Sequence, residues 1–317
     1  MQSNTQNCII CGARVKKKYT LSFGAETFEC AQYNLSFMQP LNCAEDSYND
    51  SYYYFANYSK SAIFDDICKG ARIAGYLKKY FPNCSSVFDM GAAAGILLNK
   101  LKCCGWQVSG IEISEAGVKL ASQLFNIKLK QGDIENYSDR IDADVVIMTD
   151  ALEHSYNPEK VLNNLGNLIE SNCGLIIETP NYGSFYRKIT GCNWVGFNKF
   201  HNYQFTIESL VKLARKNNFE LIDSFTENFN LLSLEGIWRL GIKDKIKKIK
   251  ESLIKKQAEK NNCRQKNNSI ERFKLTAREK IFFNVMRTLK STVNFPLNYP
   301  ARRFMMGDQL WLILRKK

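Results

Sequence analysis

The chain has 317 residues, of which 45% are apolar and 24% are charged. These are the proportions of a folded globular protein, so a largely disordered chain is excluded, and the length suits one main domain with attachments. The formal net charge of +13 comes from one segment, because residues 236–306 hold 19 Lys and Arg against 5 Asp and Glu, an excess of 14.

The start of the chain and its cysteines indicate a compartment. Met1 to Asn7 is polar and lacks the apolar core of a signal peptide, and no stretch approaches the roughly eighteen apolar residues of a membrane span. The eleven cysteines are an odd number and are scattered, which is typical of reduced thiols. We expect a soluble protein of the cytoplasm.

The N-terminal segment, residues 1–45, carries the beginnings of a zinc knuckle. Cys8 and Cys11 are spaced as a Cys-x-x-Cys pair and Cys30 follows, but Tyr33 stands where a second pair would be completed. Cys43 would supply the fourth thiolate of a zinc site. The alternative is that the metal has been lost and the fold has remained.

Residues 46–84 are predicted to lead into the core with a helix from Ser61 to Phe81. Between Ser85 and Glu227 short apolar runs then alternate with helical periods, which indicates an α/β fold with a doubly wound parallel sheet. The predicted strands are Val87–Met90, Val108–Ile113, Ile127–Gln131, Val145–Thr149, Leu175–Glu178 and Phe219–Phe225. Asn157-Pro158 is a helix start, with Asn as the cap, and another helix begins at Thr206.

Beyond Leu234 the pattern changes to a basic amphipathic helix, with apolar residues at three- and four-residue spacing among lysines. Those residues are Ile242, Ile246, Ile249 and Leu253. The last run, Gln309 to Arg315, reads as a strand that pairs with the sheet where it ends at Phe225. The predicted organisation is therefore a core at 85–235, a basic helical insertion at 236–306 and a final core strand at 307–317.

Three interpretations of the basic insertion are open. The first is a solvated helical lid whose charge has no partner. The second is peripheral contact with an anionic membrane surface, where lysines meet lipid headgroups. The third, nucleic-acid binding through phosphates, is the least favoured because the segment lacks the interleaved aromatic residues of a single-strand binder.

The strongest motif runs from Asp89 to Gly95, where a buried strand enters a turn of small residues that opens into a helix. Such a turn directs backbone amides and a helix N-terminus at a ligand beside the carboxyl end of the sheet. Glu112 ends the next strand, where its carboxylate can accept hydrogen bonds from both hydroxyls of a ribose. An oxidoreductase that binds NAD is disfavoured, because its Gly-x-Gly-x-x-Gly spacing is different.

Asp-x-Gly-x-x-x-Gly followed by an acid at the end of the second strand resembles the class I S-adenosylmethionine-dependent methyltransferases. The likeness continues through Gly132-Asp133 and through Asp150-Ala151-Leu152-Glu153-His154. A further likeness, to the branch found among bacterial polysaccharide and sugar methyltransferases, lies in Pro180-Asn181, Trp194, His201 and Phe205-Thr206. That branch often carries an N-terminal cysteine knuckle.

This resemblance implies a seven-stranded Rossmann-like sheet with S-adenosylmethionine as cofactor. The positions that it implies for cofactor binding are Asp89, Gly91, Ala93, Gly95, Glu112, Ile113, Asp133, Ile134 and Asp150. Ala93 departs from the family pattern, which has glycine there, and its methyl group is unfavourable if the turn needs a positive φ.

Methyl transfer also needs an acceptor that is held in line and loses a proton. His154 forms a cluster with Asp150 and Glu153 that is read as a general base, as a divalent metal site, or as a device that caps backbone groups. His201 and Tyr203 lie with Trp194 in a long aromatic loop, which indicates substrate contact, or else a cover for the sheet edge. The predicted catalytic residues are His201 first, then His154 and Tyr203.

The function predicted from these motifs is methylation of a small-molecule acceptor, a sugar or glycan precursor in polysaccharide biosynthesis. A methyltransferase that modifies RNA or protein through the basic segment is the main alternative. A noncatalytic binding protein that keeps the fold is the other alternative, indicated by Ala93 and Tyr33.

Overall fold

The computed structural model describes residues 7–39, 58–228, 273, 275–285, 287–288 and 303–317. The predicted ligand Cys43 and the predicted basic helix from Ile242 to Leu253 lie outside the described residues. Among the described residues no helix is long and apolar enough to cross a membrane.

The N-terminal segment forms a small antiparallel sheet of β1 (Lys16–Thr20), β2 (Glu26–Cys30) and β3 (Leu35–Gln39). A later strand, β9 (Tyr203–Gln204), pairs with β3 and completes the order β1-β2-β3-β9. The loop that follows the fifth predicted strand is therefore anchored to the N-terminal segment.

The main sheet contains seven of the described strands, in the order β10-β11-β8-β7-β4-β5-β6. Neighbours from β8 to β6 run parallel, whereas β11 is antiparallel to both β8 and β10. Their bounds are β4 Ser86–Met90, β5 Gln107–Glu112, β6 Lys130–Gln131, β7 Val145–Thr149, β8 Gly174–Pro180, β10 Phe219–Glu227 and β11 Gln309–Lys316. The predicted Rossmann-like α/β fold is confirmed.

Helices cover both faces of this sheet. Their bounds are α1 Lys60–Tyr80, α2 Ile96–Cys103, α3 Glu115–Phe125, α4 Pro158–Leu168, α5 Phe185–Thr190 and α6 Ile207–Lys216. Alternate residues of one strand belong to opposite cores: Val145 and Ile147 pack with α1, α2 and α3, and Val146 and Met148 pack with α4 and α6. A parallel strand buried on both faces is apolar throughout, as β7 is.

Both helix starts predicted from sequence are confirmed. The Asn157 side chain accepts a hydrogen bond from the Lys160 amide, with Pro158 in the first helical position. Thr206 and Ser209 form a reciprocal capping box at the start of α6. These caps satisfy amide groups that have no partner within the helix.

Two strands differ from the prediction. β11 does pair with β10 at Phe225, but it also pairs with β8, so it is an internal strand and β10 forms the edge. The reason is that Leu310 to Leu314 are fully buried, whereas Glu220 to Phe225 of β10 all keep some contact with solvent. The third strand spans Lys130–Gln131 alone, because only these residues pair with β5.

Candidate cofactor and acceptor site

The turn between β4 and α2 is built from residues with positive φ. Gly91, Ala93 and Gly95 have φ values of 96°, 48° and 72°. A Cβ atom added at Gly91 would lie 3.2 Å from the Ala151 Cβ, and one added at Gly95 would lie 3.0 Å from the Ala121 Cβ. Ala93 therefore occupies a left-handed position that costs an alanine about 1–2 kcal/mol relative to glycine.

Glu112 ties this turn to the end of β5. Its side chain is buried, and one carboxylate oxygen accepts the Ala93 amide at 2.8 Å while the other accepts the Ser114 amide at 2.9 Å. Burial raises the pKa of Glu112, and the backbone amides act in the opposite direction. Each oxygen keeps a second lone pair, so the predicted contact with ribose hydroxyls is still available.

Asp89 lies beneath the turn with 2% of its surface exposed. Its Oδ1 atom has no hydrogen-bond partner among the described residues. Burial, followed by the neighbouring Glu112, raises the pKa of Asp89 to about 8. An unsatisfied buried carboxyl is unfavourable until a donor reaches it, and the ammonium group of S-adenosylmethionine is a donor of the required kind. The turn and Asp89 together fit that cofactor.

The predicted residues after β5 and β6 lie on the adjoining loops. Asp133 accepts hydrogen bonds from the Glu135 amide at 3.0 Å and from the Asn136 side chain at 2.6 Å, which fixes its loop. Ile134 and Ile113 are half-buried, and the Ile113 carbonyl accepts from Gln131 at 3.2 Å.

Lys69 was not identified from sequence, yet it connects three elements of the site. From α1 it forms ion pairs with Asp150, after β7, and with Glu178 of β8, at 2.8 Å from the Glu178 Oε2. Burial lowers the pKa of Lys69, but the two carboxylates outweigh it and raise the pKa overall. Burial also raises the pKa of Glu178, to about 7, and Lys69 opposes that shift. The available sequence signal was a lysine on the apolar face of a helix.

His154 and His201 form a pair at the carboxyl end of β7. Their ring centroids are 4.8 Å apart and the rings meet edge to face. The His154 Nδ1 lies 2.9 Å from the Phe200 carbonyl oxygen, and the His201 Nδ1 lies 3.0 Å from that of Gly196. Burial lowers the pKa of both imidazoles, that of His201 to about 4, so both rings are neutral at pH 7.

Glu153 lies next to this pair and is fully buried. Burial, and then the charge of Asp150, raises its pKa, whereas a hydrogen bond with the Thr179 side chain lowers it. One donor atom each from Glu153, His154 and His201 lies within 4.8 Å of the others, so the fold brings together residues that are far apart in sequence.

Tyr203 and Trp194 lie in packed surroundings. The Tyr203 hydroxyl donates to the Tyr156 carbonyl at 2.8 Å, and burial raises the pKa of this phenol to about 12. Trp194 is 2% exposed and packs on Tyr182 and Phe197 beside the N-terminal sheet. This packing is the alternative that the sequence left open, in which aromatic residues of the loop cover a sheet. The catalytic role of Tyr203 stays a prediction.

The N-terminal cysteines converge as the spacing indicated. The sulfur atoms of Cys8, Cys11 and Cys30 lie within 4.8 Å of one another, with 3.7 Å between those of Cys11 and Cys30. Burial raises the pKa of Cys8 to about 12. The Tyr33 hydroxyl contacts Lys212 and Gln32. Three thiols therefore fit three of the four positions of a zinc site.

One described part of the basic insertion reaches the cofactor turn. Phe273 is buried against Ile63, Ala94 and Ile96, and Phe283 stacks on Phe64 of α1 at 5.4 Å between ring centroids. The described residue Phe273, which belongs to the segment that the sequence set apart as an insertion, thus packs beside the start of α2.

The strand order and the turn after β4 define a Rossmann-like fold of the methyltransferase type. A family model described as "Methyltransferase domain" matches residues 64–224, and the chain belongs to this family.

Known proteins with similar sequence or structure carry related names. A ubiquinone biosynthesis O-methyltransferase of Maricaulis maris is 28% identical over 130 residues, which are 36% of this chain and 51% of that protein, so the match spans about half its length. A Thermotoga maritima protein described as an S-adenosylmethionine-dependent methyltransferase and possible histamine N-methyltransferase has 20% identity and a TM-score of 0.45, over 58% of this chain and 83% of its own. An Archaeoglobus fulgidus S-adenosylmethionine-dependent methyltransferase has 19% identity and a TM-score of 0.45, over 78% and 94%.

Proposed function

We propose that this protein transfers a methyl group from S-adenosylmethionine to a small-molecule acceptor. The observation that carries the proposal is the buried Asp89 carboxyl, which has an oxygen without a partner directly beneath a turn of positive-φ residues, in a chain of the methyltransferase domain family. When bound, the cofactor supplies an electrophilic methyl group on a sulfonium.

Each part of the site has a role in this proposal. The methionine portion of the cofactor would be held by Asp89 and by the turn residues Gly91, Ala93 and Gly95. The carboxylate of Glu112 would hold the ribose. The adenine and the approach to the methyl group would be enclosed by Ile113, Asp133, Ile134 and Asp150.

The acceptor would lose its proton through the imidazole pair, with His201 as the first candidate, His154 as the second and Tyr203 as a neighbouring residue. The position of the two rings at the carboxyl end of β7 supports this assignment, because a base must lie within hydrogen-bond reach of the proton that it removes. The O-methyltransferase name of the Maricaulis relative favours a hydroxyl acceptor.

We further propose a sugar or glycan precursor as the acceptor, on the resemblance of the Pro180-Asn181, Trp194 and His201 elements to sugar methyltransferases. Zinc bound by Cys8, Cys11 and Cys30, with Cys43 as the predicted fourth ligand, would stabilise the N-terminal sheet. The cytoplasmic location and contact of residues 236–306 with an anionic membrane stay predictions.

The alternative with a specific observation behind it is methylation of RNA or protein, since residues 236–306 carry a net excess of 14 positive charges. Binding of RNA that weakens steeply with salt would favour it. Sugar-nucleotide binding that is insensitive to salt would favour a small-molecule acceptor.

The test of the proposed function is calorimetry with S-adenosylmethionine on the full chain and on Asp89→Asn. We expect binding by the unchanged protein and a lower affinity in the variant, whose amide keeps the shape but cannot ionise to pair with the ammonium group of the cofactor. Mass spectrometry of a cell extract incubated with the protein and isotopically labelled cofactor then identifies the acceptor by its mass shift. No binding by the unchanged protein would refute the proposal.

A further inference from the structure

A groove lies beside the edge of the main sheet, and none of the residues assigned to the cofactor lines it. Its volume is about 850 Å³, and its walls come from α6, from β10 and from the loop between Cys8 and Cys11. The apolar part of its lining consists of four half-buried residues, Ile10, Ile207, Val211 and Leu221. An apolar patch with a polar rim marks an interaction site on a protein surface. We call this feature the α6 groove.

The edge strand and the cysteine loop together shape the α6 groove. β10 pairs with β11 along one side, and no described strand pairs with its other side. A bulge between Leu221 and Asp223 shifts the register of β10, and Leu221 and Ser224 both line the groove. Ile10 belongs to the cysteine loop, where its amide donates a hydrogen bond to the Cys8 sulfur at 3.4 Å. The N-terminal segment thus completes a groove that the core begins.

The rim of the α6 groove is positively charged. Three exposed cations stand against the single carboxylate of Glu208, and they are Lys212, Arg215 and Lys216. Lys216 forms an ion pair with Glu159 at 2.9 Å. Within the described part of the chain, no carboxylate lies at ion-pair distance from Lys212 or Arg215. The groove therefore places two cations that no described carboxylate neutralises beside an apolar surface.

Tyr33 restrains one of these two cations. The Lys212 ammonium lies 3.9 Å from the centre of the Tyr33 ring and donates a hydrogen bond to the Tyr33 hydroxyl. An ammonium is attracted to the face of an aromatic ring, so Tyr33 holds Lys212 without neutralising its charge. The tyrosine that stands where a second cysteine pair would be completed thus positions a lysine at the groove.

These features select among the molecules that could cover the α6 groove. A small-molecule site has polar groups that converge inside the pocket, whereas none of the buried unpartnered polar atoms found among the described residues belongs to this lining. A second copy of the chain would bring the same cations together about a two-fold axis, which is unfavourable. A strand added to β10 would meet the bulge, which interrupts regular pairing.

We propose that the α6 groove binds an acidic amphipathic helix of a partner protein. α6 has ten residues and is about 15 Å long, so a partner helix of about three turns would cover it from end to end. Apolar residues three and four apart on that helix pack on Ile207, Val211 and Leu221. Its carboxylates pair with Lys212 and Arg215. This docking role is separate from methyl transfer and does not rest on it.

Fluorescence anisotropy of a labelled model peptide, titrated with the full chain, tests the proposal. The peptide has about 18 residues, enough to form a helix, with leucines three and four apart and glutamates elsewhere. We expect saturable binding that weakens as the salt concentration rises. A second peptide with serine in place of leucine should bind at least about tenfold more weakly, because it has no apolar face to bury.

Charge reversal at the rim tests the contribution of the cations. Arg215→Glu should raise the Kd of the leucine peptide at least about tenfold, because a carboxylate then faces the carboxylates of the peptide. Lys128→Glu is the matched control, since Lys128 is exposed, lies outside the groove and gives the same change in net charge. It should bind the peptide as the unchanged protein does. Both variants should keep the melting temperature of the unchanged protein, because both positions are exposed.

Absence of saturable binding, an equal Kd in Arg215→Glu and Lys128→Glu, or equal binding of the serine peptide would overturn the proposal. Binding of a single-stranded RNA that Arg215→Glu abolishes and Lys128→Glu does not would assign the cations to phosphate groups instead and would also overturn it. Calorimetry with S-adenosylmethionine on the same samples keeps the two proposals apart. A protein that binds the cofactor but not the peptide loses only the docking role of the α6 groove.

Discussion

Gly95 offers a direct test of the cofactor turn, because substitution by alanine adds one methyl group at a position with φ of 72°. The left-handed conformation costs alanine about 1–2 kcal/mol, and the lower entropy of the unfolded chain returns about 0.4–1 kcal/mol. The new Cβ atom would also lie 3.0 Å from the Ala121 Cβ, which adds a few tenths of a kcal/mol. We expect Gly95→Ala to lose about 1 kcal/mol of unfolding free energy.

The same strain should weaken cofactor binding. Part of the strain remains in the free protein and lowers its stability, and the part that a shift of the turn relieves must be restored when the cofactor binds. A penalty of about 1 kcal/mol corresponds to a roughly fivefold higher Kd for S-adenosylmethionine. Isothermal titration calorimetry measures the Kd, and urea denaturation measures the unfolding free energy.

Gly105→Ala is the matched control. Gly105 has φ of 102° at the end of α2, and a Cβ atom added there meets nothing within 4 Å. This variant should lose similar stability and bind the cofactor with unchanged affinity. A Gly95→Ala protein that loses stability but keeps the original Kd would refute the placement of the ligand against this turn.

Three further predictions concern the buried charges and the imidazole pair. Because the pKa of Asp89 is raised from 3.8 to about 8, its contribution to stability is full below pH 4 and is lost as the pH rises through 8. Asp89→Asn should therefore match the unchanged protein at low pH and exceed it at pH 8, as denaturation series at several pH values would show; a constant difference would contradict the assignment. Lys69→Met leaves Asp150 and Glu178 without their cation and should destabilise the protein by about 3–5 kcal/mol in urea denaturation, with Lys69→Arg much less affected; equal effects would argue against the ion pairs. His201→Ala should lower kcat about 10²- to 10⁴-fold with an unchanged calorimetric Kd for the cofactor, and unaltered turnover would remove His201 from the reaction.

Local patterns in the sequence were sufficient for most of the main sheet. Strands β4, β7 and β8 are short, mainly apolar runs because they are buried on both faces, and such runs can be read without knowing their neighbours. The starts of α4 and α6 were equally predictable, because Asn157 and Thr206 satisfy amide groups within three residues along the chain. The turn from Asp89 to Gly95 was also predictable, because the spacing of its aspartate and glycines is a local pattern.

Contacts between distant segments could not be predicted in the same way. Lys69 finds its carboxylates 81 and 109 residues further along the chain, and no spacing rule connects them. Tyr203 looked like a loop residue exposed to substrate, but two residues of β9 pair with β3 and draw it into the core. The internal position of β11 likewise could not be predicted, because it depends on the pairing of β11 with both β8 and β10.

The position of β11 has a consequence for the order in which the chain can fold. Gln309 pairs with Glu227, so a closed loop of about eighty residues separates two adjacent strands, and closing it carries an entropy penalty that grows with the logarithm of its length. During synthesis β8 presents an uncovered apolar edge until residues 309–316 leave the ribosome. Assembly of this half of the sheet is therefore expected to be late and slow, and a nascent chain would be most prone to aggregation in that interval.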